Sequence, residues 1–146
     1  MANTQGMCVS YKSELMQALH NHTNTTGNVF KVALYTSSAT LSKATTAYSS
    51  TNEISGTNYT AGGFAWTAAQ NTTPAAGTTG CYTTWSANPA WTVASFTANA
   101  ALIYNSSASN RAVAVLTFGG DQTVAAGTFT LTLPSNAEGS AILQIN

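Results

Sequence analysis

Charge is what this sequence lacks most. Only four of its 146 residues are Lys or Arg and four are Asp or Glu, 5% in all, against about 25% in an average soluble domain. The cations are Lys12, Lys31, Lys43 and Arg111, the anions Glu14, Glu53, Asp121 and Glu138, and the formal net charge is zero. Four scattered basic side chains cannot neutralise a track of phosphates, so a nucleic-acid partner is excluded as an expectation. A neutral chain this poor in charge has little electrostatic protection against association. It is expected to live packed against partners, copies of itself among them.

Other scarcities narrow the class further. No run approaches the ~20 apolar residues of a membrane span, so no membrane partner is expected. The opening MANTQGMCVSYKSELM has no apolar h-region, and no secretory signal is expected from it. There are two cysteines, Cys8 and Cys81. One disulfide is compatible with their number but not indicated by their spacing, and two separated buried thiols is the plainer reading. Several Asn-x-Ser/Thr triplets occur, as chance alone produces in a chain this rich in Asn and Thr.

Chemical motifs are also missing. His20-x-His22 is the one hint of a metal ligand pair, but residues two apart on a helix face different ways. No Cys or carboxylate stands at a zinc spacing from them. The pair reads instead as a frayed helix end, and no metal-ligating residue is assigned. The four acids lie in four separate contexts and announce no acid–base pair. There is no G-x-S-x-G elbow, P-loop or dinucleotide fingerprint. No catalytic or cofactor-binding residue is assigned, no cofactor is expected, and the chain is read as non-enzymatic. Trp66, Trp85 and Trp91 would suit a sugar-stacking platform, but buried core is their commoner use.

What is present is material for a core and for strands. Hydrophobic residues make up 44% of the chain, and a domain of this length hides roughly 68–70% of its unfolded surface. A helix is expected near Ser10–His20, capped by Ser10 or Ser13, with Leu15, Met16 and Leu19 on one face. NHTNTTGN ends it. Strands are expected at FKVALY (30–35), GFAWTA (63–68), TVASFTA (92–98), ALIY (101–104), RAVAVLTF (111–118), GTFTLTL (127–133) and AILQI (141–145), with CYTTW (81–85) a weaker one. In GTFTLTL, Phe129, Leu131 and Leu133 alternate with Thr128, Thr130 and Thr132, so the apolar set should face inward. The glycines of FGGDQT (118–123) are expected to reverse the chain between two strands, NSSASN (105–110) to form a longer hairpin loop, and NTTPAAGTTG (71–80) to be an exposed, variable loop. The fold class is therefore mainly β, an antiparallel, jelly-roll-like β-sandwich of about eight strands with one short N-terminal helix. Two parts are expected: an N-terminal arm and helix over 1–28, and a β-sandwich domain over 29–146.

EISGTNYTAGG (53–63) gathers an acid, an aromatic and three glycines in one short stretch. It reads as a shaped turn rather than a reactive loop. Gly56 and Asn58 turn the chain, Gly62-Gly63 let the next strand start close to a neighbour, and Tyr59 covers the turn with its hydroxyl bonded. Glu53 is expected to accept N–H groups of its own loop, or a Lys or Arg across an interface.

Several segments together resemble a family of small tailed-bacteriophage virion proteins. They are YKSEL (11–15), FKVALYTSSATL (30–41), TTAYSSTNEISGTNYTAGG (45–63) and ASFTANAALIYNSSASNRAVAVLTFGGDQT (94–123), followed by GTFTLTLP and AILQI. The likeness covers most of the chain, with 64–90 the main interruption. Where the family pattern reads GTGY this chain has Gly56-Thr57-Asn58-Tyr59, and Asn preserves a turn that needs positive φ. The resemblance implies a structural protein of the virion, made in the host cytoplasm. Its implied place is the capsid, as a decoration or cement protein, or alternatively the tail, neck or fibre. The implied partners are the major capsid protein and copies of itself in a homo-oligomer.

Overall fold

The computed structural model describes residues 2–146. Among them are eight strands in two antiparallel sheets and a single short α-helix. The strands are β1 (Gly6–Met7), β2 (Phe30–Tyr35), β3 (Phe64–Ala65), β4 (Ala75–Ala76), β5 (Cys81–Thr83), β6 (Ala90–Asn105), β7 (Arg111–Thr130) and β8 (Leu143–Ile145). The larger sheet has the order β1-β7-β6-β2-β3 and the smaller β4-β5-β8. The fold is thus mainly β and sandwich-like, as composition and strand patterning indicate.

The helix α1 (Val9–Met16) is shorter than the Ser10–His20 expectation and is entered from Cys8, which makes no side-chain cap. It stops because Ala18 takes φ 58°, a left-handed conformation that helices do not continue through. The Gln17, Ala18 and Leu19 N–H groups turn back onto the carbonyls of Glu14 and Leu15. The segment before and after α1 is sewn to the larger sheet. β1 pairs with β7 at Gly6–Val115 and Met7–Ala114, and the Cys8 N–H donates to the Val113 carbonyl at 2.9 Å. The Asn3 amide reaches Thr36 O and Asn99 Oδ1.

The core lies where β2, the C-terminal half of β6 and the start of β7 cross. Phe30, Val32, Ala33, Leu34, Leu102, Ile103, Val113 and Val115 are fully buried. Both faces of β2 are covered, which is why FKVALY combines strong β-formers with no exposed polar face. Trp66 and Trp85, both buried, stack with centroids 4.5 Å apart and planes 12° from parallel, and Phe30 meets Trp85 edge-on at 5.5 Å.

The expected reversal at FGGDQT does not occur. TVASFTA and ALIY belong to one 16-residue strand, β6, and RAVAVLTF and the start of GTFTLTL to one 20-residue strand, β7. They form a single long hairpin that reverses only at Asn105–Arg111, where Ser109 and Asn110 adopt φ 52° and 58°. The glycines instead make a bulge. Thr117 pairs with Ala100 and Gln122 with Ala98, so residues 118–121 of β7 face Asn99 alone. Gly119 has φ 76°, and Asn99 closes the bulge by donating to Asp121 Oδ1 at 2.8 Å. Positive φ serves a bulge as well as a turn, and sequence alone does not separate the two. Past the bulge, Phe129, Leu131 and Leu133 are half-buried and Thr128, Thr130 and Thr132 exposed, the expected alternation.

Most of residues 71–80 are exposed, as expected of this loop, but the stretch is tied to the rest of the fold. Asn71 is fully buried, with its amide donating to Asn28 O at 2.9 Å and its Oδ1 accepting from Trp85 Nε1 at 3.1 Å. The Glu138 carboxylate accepts from the N–H of Thr78 and Thr79 at 2.9 and 2.6 Å and from the Thr79 hydroxyl at 2.7 Å. These bonds, the Thr79 hydroxyl first, hold its carboxyl down at about 2. A carboxylate brought from about sixty residues away in sequence order thus caps this loop.

Candidate functional site

The four acids and Arg111 are employed as fasteners. Glu53 accepts from the Tyr48 hydroxyl, the Tyr59 hydroxyl and the Gly62 N–H, each at 2.7 Å. Of the two expectations for Glu53, the bond within its own loop is the one found. Tyr59 in turn accepts from the Leu34 N–H at 2.9 Å, while its ring packs against Phe96 and Trp91. Burial raises the Tyr59 hydroxyl pKa well above the ordinary range, and the neighbouring Glu53 carboxylate adds to this. Gly63 has φ 74°, and a Cβ there would overlap the Val32 carbonyl oxygen. The 53–63 stretch therefore works as internal scaffolding that seats β3 against β2.

A second network overturns the frayed-end reading of His20 and His22, since both rings are buried. His20 Nε2 lies 2.7 Å from Glu14 Oε2, and Arg111 donates to Glu14 Oε1 at 2.7 Å. The Asn105 amide donates to His20 Nδ1 at 3.0 Å and to Asn28 Oδ1 at 2.8 Å, while Asn105 Oδ1 accepts from the Ser107 N–H. With Asn105 oriented this way, His20 Nδ1 must be an acceptor, so the ring is neutral and donates through Nε2 to Glu14. Burial by itself would raise the Glu14 carboxyl, but the hydrogen bonds from His20 and Arg111 outweigh it and hold the carboxyl below its usual range. Burial lowers His20 against the opposing pull of Glu14.

His22 stacks on Phe30 at 4.3 Å and pairs its Nε2 with the Tyr11 hydroxyl at 2.8 Å. Its Nδ1 is buried with no partner. Burial, with His20 adding, drives the ring down to about 4. Glu14, Tyr11 and Phe30 lie within about a dozen residues of these histidines, but no recognised motif links them, and Asn105 and Trp85 come from distant chain positions. Among the described residues no group of three or more His, Cys, Asp or Glu is placed to hold a metal ion.

The three tryptophans are core residues. Trp66, Trp85 and Trp91 are buried and cannot present open faces to a sugar ring. The cysteines divide: Cys8 is buried and free, and Cys81 is free but exposed, against the expectation of two buried thiols. Burial, with Glu14 adding, pushes the Cys8 thiol up to about 11.

The surface features that stand out are apolar. Only four large hydrophobic side chains are exposed among the described residues: Val9, Met16, Val93 and Ile145. Three of them, with Leu15, Lys12 and Ser13, line one open groove between α1 and β8. A smaller apolar cavity of about 90 Å³ adjoins it, sharing Leu15 and Ile145 and reaching Tyr11, His22 and Cys81.

The fourth, Val93, sits on the far half of the hairpin, 63% exposed and at φ 49°. A β-branched residue in that region is a strained outlier, costing of order 1–3 kcal/mol. The strain is held by a bulge between Trp91 and Ala94 in the β6–β7 register and by the Asn58 amide, which donates to Thr92 O and Val93 O at 3.2 and 3.0 Å. Asn58 itself has φ 57°. No protein-family model matches this chain, and neither does any curated protein or solved structure.

Proposed function

We propose that this chain is a non-enzymatic structural protein of a tailed-bacteriophage virion. In this reading it is a capsid decoration or cement protein that binds the outer shell and stabilises contacts between capsomers. The observation that carries the reading is the far half of the β6–β7 hairpin. Over residues 90–98 and 119–130 it presents mainly Thr, Ala, Gly and Gln, with Val93 the one large exposed hydrophobic residue and Asp121 its single charge. A surface of that kind packs closely against a partner without stripping water from ions, the costly part of an interface. The sequence resemblance supports the viral setting.

The fold also bears on how docking would work. Residues 2–28 contribute Cys8, Tyr11, His20 and His22 to the buried interior, so the N-terminal segment would act through the exposed face of α1 rather than as a loose arm. A shell seam would be reinforced by the binding free energy of each copy, multiplied over many copies.

The test is to add purified protein to particles that lack it and to count bound copies. Saturation at hundreds of copies, with raised heat resistance and weak salt dependence, is expected. A dozen copies or fewer would move the protein to the neck or tail. No binding to any particle would end the virion reading.

A further inference from the structure

We infer that residues 2–22 dock on the β-sandwich as a separately releasable element, and that protonation of the buried His22 releases them.

Five residues of this segment are buried: Cys8, Tyr11, Glu14, His20 and His22. Every one of them carries an ionisable group. By contrast, β2 is buried mainly through Phe30, Val32, Ala33 and Leu34. The apolar hold of the segment is thin, since Leu15 is half-buried and Val9 and Met16 are exposed. Its backbone hold is short. Two residue pairs join β1 to β7, and the N–H groups of Thr4, Cys8 and Val9 donate to the Leu41, Val113 and Lys43 carbonyls at 2.9, 2.9 and 2.8 Å. Beyond residue 22 the chain is fastened separately, by the Asn24 amide to Ala69 O and Asn71 O at 2.9 and 2.8 Å. An element seated by titratable side chains stays seated only in the protonation states that fit its site.

The charged and titratable groups packed around the two rings are Tyr11 and Glu14 of α1, Arg111 of β7 and Cys81 of β5. Phe30 of β2, Asn105 of β6 and Trp85 complete the surroundings. Glu14 is the one carboxylate among them, and His20 and Arg111 each engage one of its oxygens. A proton added to His20 would find that carboxylate, at the cost of the Asn105 bond to Nδ1. A proton added to His22 would find no anion. Its Nε2 faces the Tyr11 hydroxyl, and its Nδ1 has no partner among the described residues. The Phe30 face is a weaker partner for a cation than a carboxylate is. Release brings the charged ring to water, which is the cheaper state for an unpaired charge.

In the docked segment His22 stays neutral down to about 4, whereas a free ring protonates near 6.5. The released state therefore binds the extra proton, and its population rises as pH falls from about 6.5 to about 4. From His22 alone, the rise between about pH 7.5 and about pH 5.5 is about tenfold. His20 and Glu14, both lowered in the docked state, push the same way. Release uncovers the edge of β7 at Ala114 and Val115, where β1 now pairs, and the faces of Phe30 and Trp85 that His22 now covers.

Amide hydrogen exchange of the full chain, read residue by residue as protection factors, tests this. The amides of Cys8, Gln17 and Leu19 should open together, with protection at least about tenfold below that of the amides that pair β6 with β7. Their shared protection should fall about tenfold between about pH 7.5 and about pH 5.5. Equal protection in the segment and the hairpin would mean that only whole-chain unfolding frees the segment, and would overturn the proposal. A His22 ring that titrates near 6.5 by NMR while the segment stays protected would do the same.

His22→Phe combined with Tyr11→Phe removes the titrating ring and leaves no hydroxyl without its acceptor. An unchanged near-ultraviolet circular dichroism spectrum would show that this variant is folded. Its segment should still open separately from the hairpin, with most of the pH dependence gone and only the share from His20 and Glu14 left. A pH dependence as steep as in the wild type would sink the assignment of the trigger to His22. If the variant fails to fold, the exchange and ring titration of the wild type decide the matter by themselves.

Discussion

Trp66 and Trp85 stack nearly face to face, 4.5 Å between centroids, and tie the small sheet to the large one. Trp66 follows β3 and donates to Ala87 O at 2.8 Å, while Trp85 follows β5 and donates to the buried Asn71. Trp85→Ala removes the stack and leaves Asn71 Oδ1 without its donor. The expected loss is about 3–5 kcal/mol. Urea unfolding measures it, and loss of the paired-indole signal in circular dichroism reports the stack directly. A loss below about 1 kcal/mol would show that the two sheets hold together without it.

Acid should unfold this protein in two stages. In the folded state His22 stays neutral down to about 4, whereas an unconstrained ring protonates near 6.5. Between those values the unfolded chain binds the extra proton, so stability falls as pH falls from about 6.5 to about 4. The full effect is about 3 kcal/mol. Glu14, held below its ordinary value of 4.5, contributes stability that is present above that value and lost as pH falls through its folded pKa. Urea midpoints at pH 7, 5.5 and 4.5 check the first stage. His22→Phe, which keeps the stack on Phe30, should make it shallower, leaving the part due to His20, whose pKa burial also lowers.

One thiol per folded chain should react. Cys81 is exposed and Cys8 is buried with its thiol pushed up to about 11. Reaction follows the thiolate and its access. Maleimide labelling followed by mass spectrometry should give one adduct quickly in buffer and two in denaturant. Rapid double labelling of the native protein would mean that the β1–α1 entry opens easily.

The 53–63 loop should tolerate little. Gly63→Ala places a methyl group against the Val32 carbonyl oxygen on a backbone at φ 74°. Glu53→Ala strands the hydroxyls of Tyr48 and Tyr59 and the Gly62 N–H, each unsatisfied group costing about 1–3 kcal/mol where buried. Both changes are expected to lower the thermal midpoint by several degrees, with amide exchange at Gly62 faster in the second. Unchanged exchange at Gly62 in Glu53→Ala would sink the claim that this carboxylate organises the loop.

How much was legible in advance differs from element to element. FKVALY and RAVAVLTF declared themselves strands because apolar β-formers at that density have no other use in a short segment. The core tryptophans and the turning role of Asn58 were legible for similar local reasons. Gly119-Gly120 was legible only as a place of unusual φ. Whether such a place reverses a chain or kinks a strand depends on what the partner strand offers opposite, here Asn99.

Composition and short-range pattern by themselves determined that this is a charge-poor, mainly β protein with one N-terminal helix. Those properties follow from local conformational preference and from the area a chain this long must hide. Only the tertiary structure decided that His20 and His22 are core, that Glu53 and Glu138 each fasten a loop's backbone while Glu14 ties the side chains of His20 and Arg111, and that Val9, Met16 and Ile145 share a groove. Hydrogen bonds and apolar contacts join residues by distance in space. Those residues can lie far apart along the chain, as Glu14 on α1 and Arg111 on β7 do, 97 residues from one another.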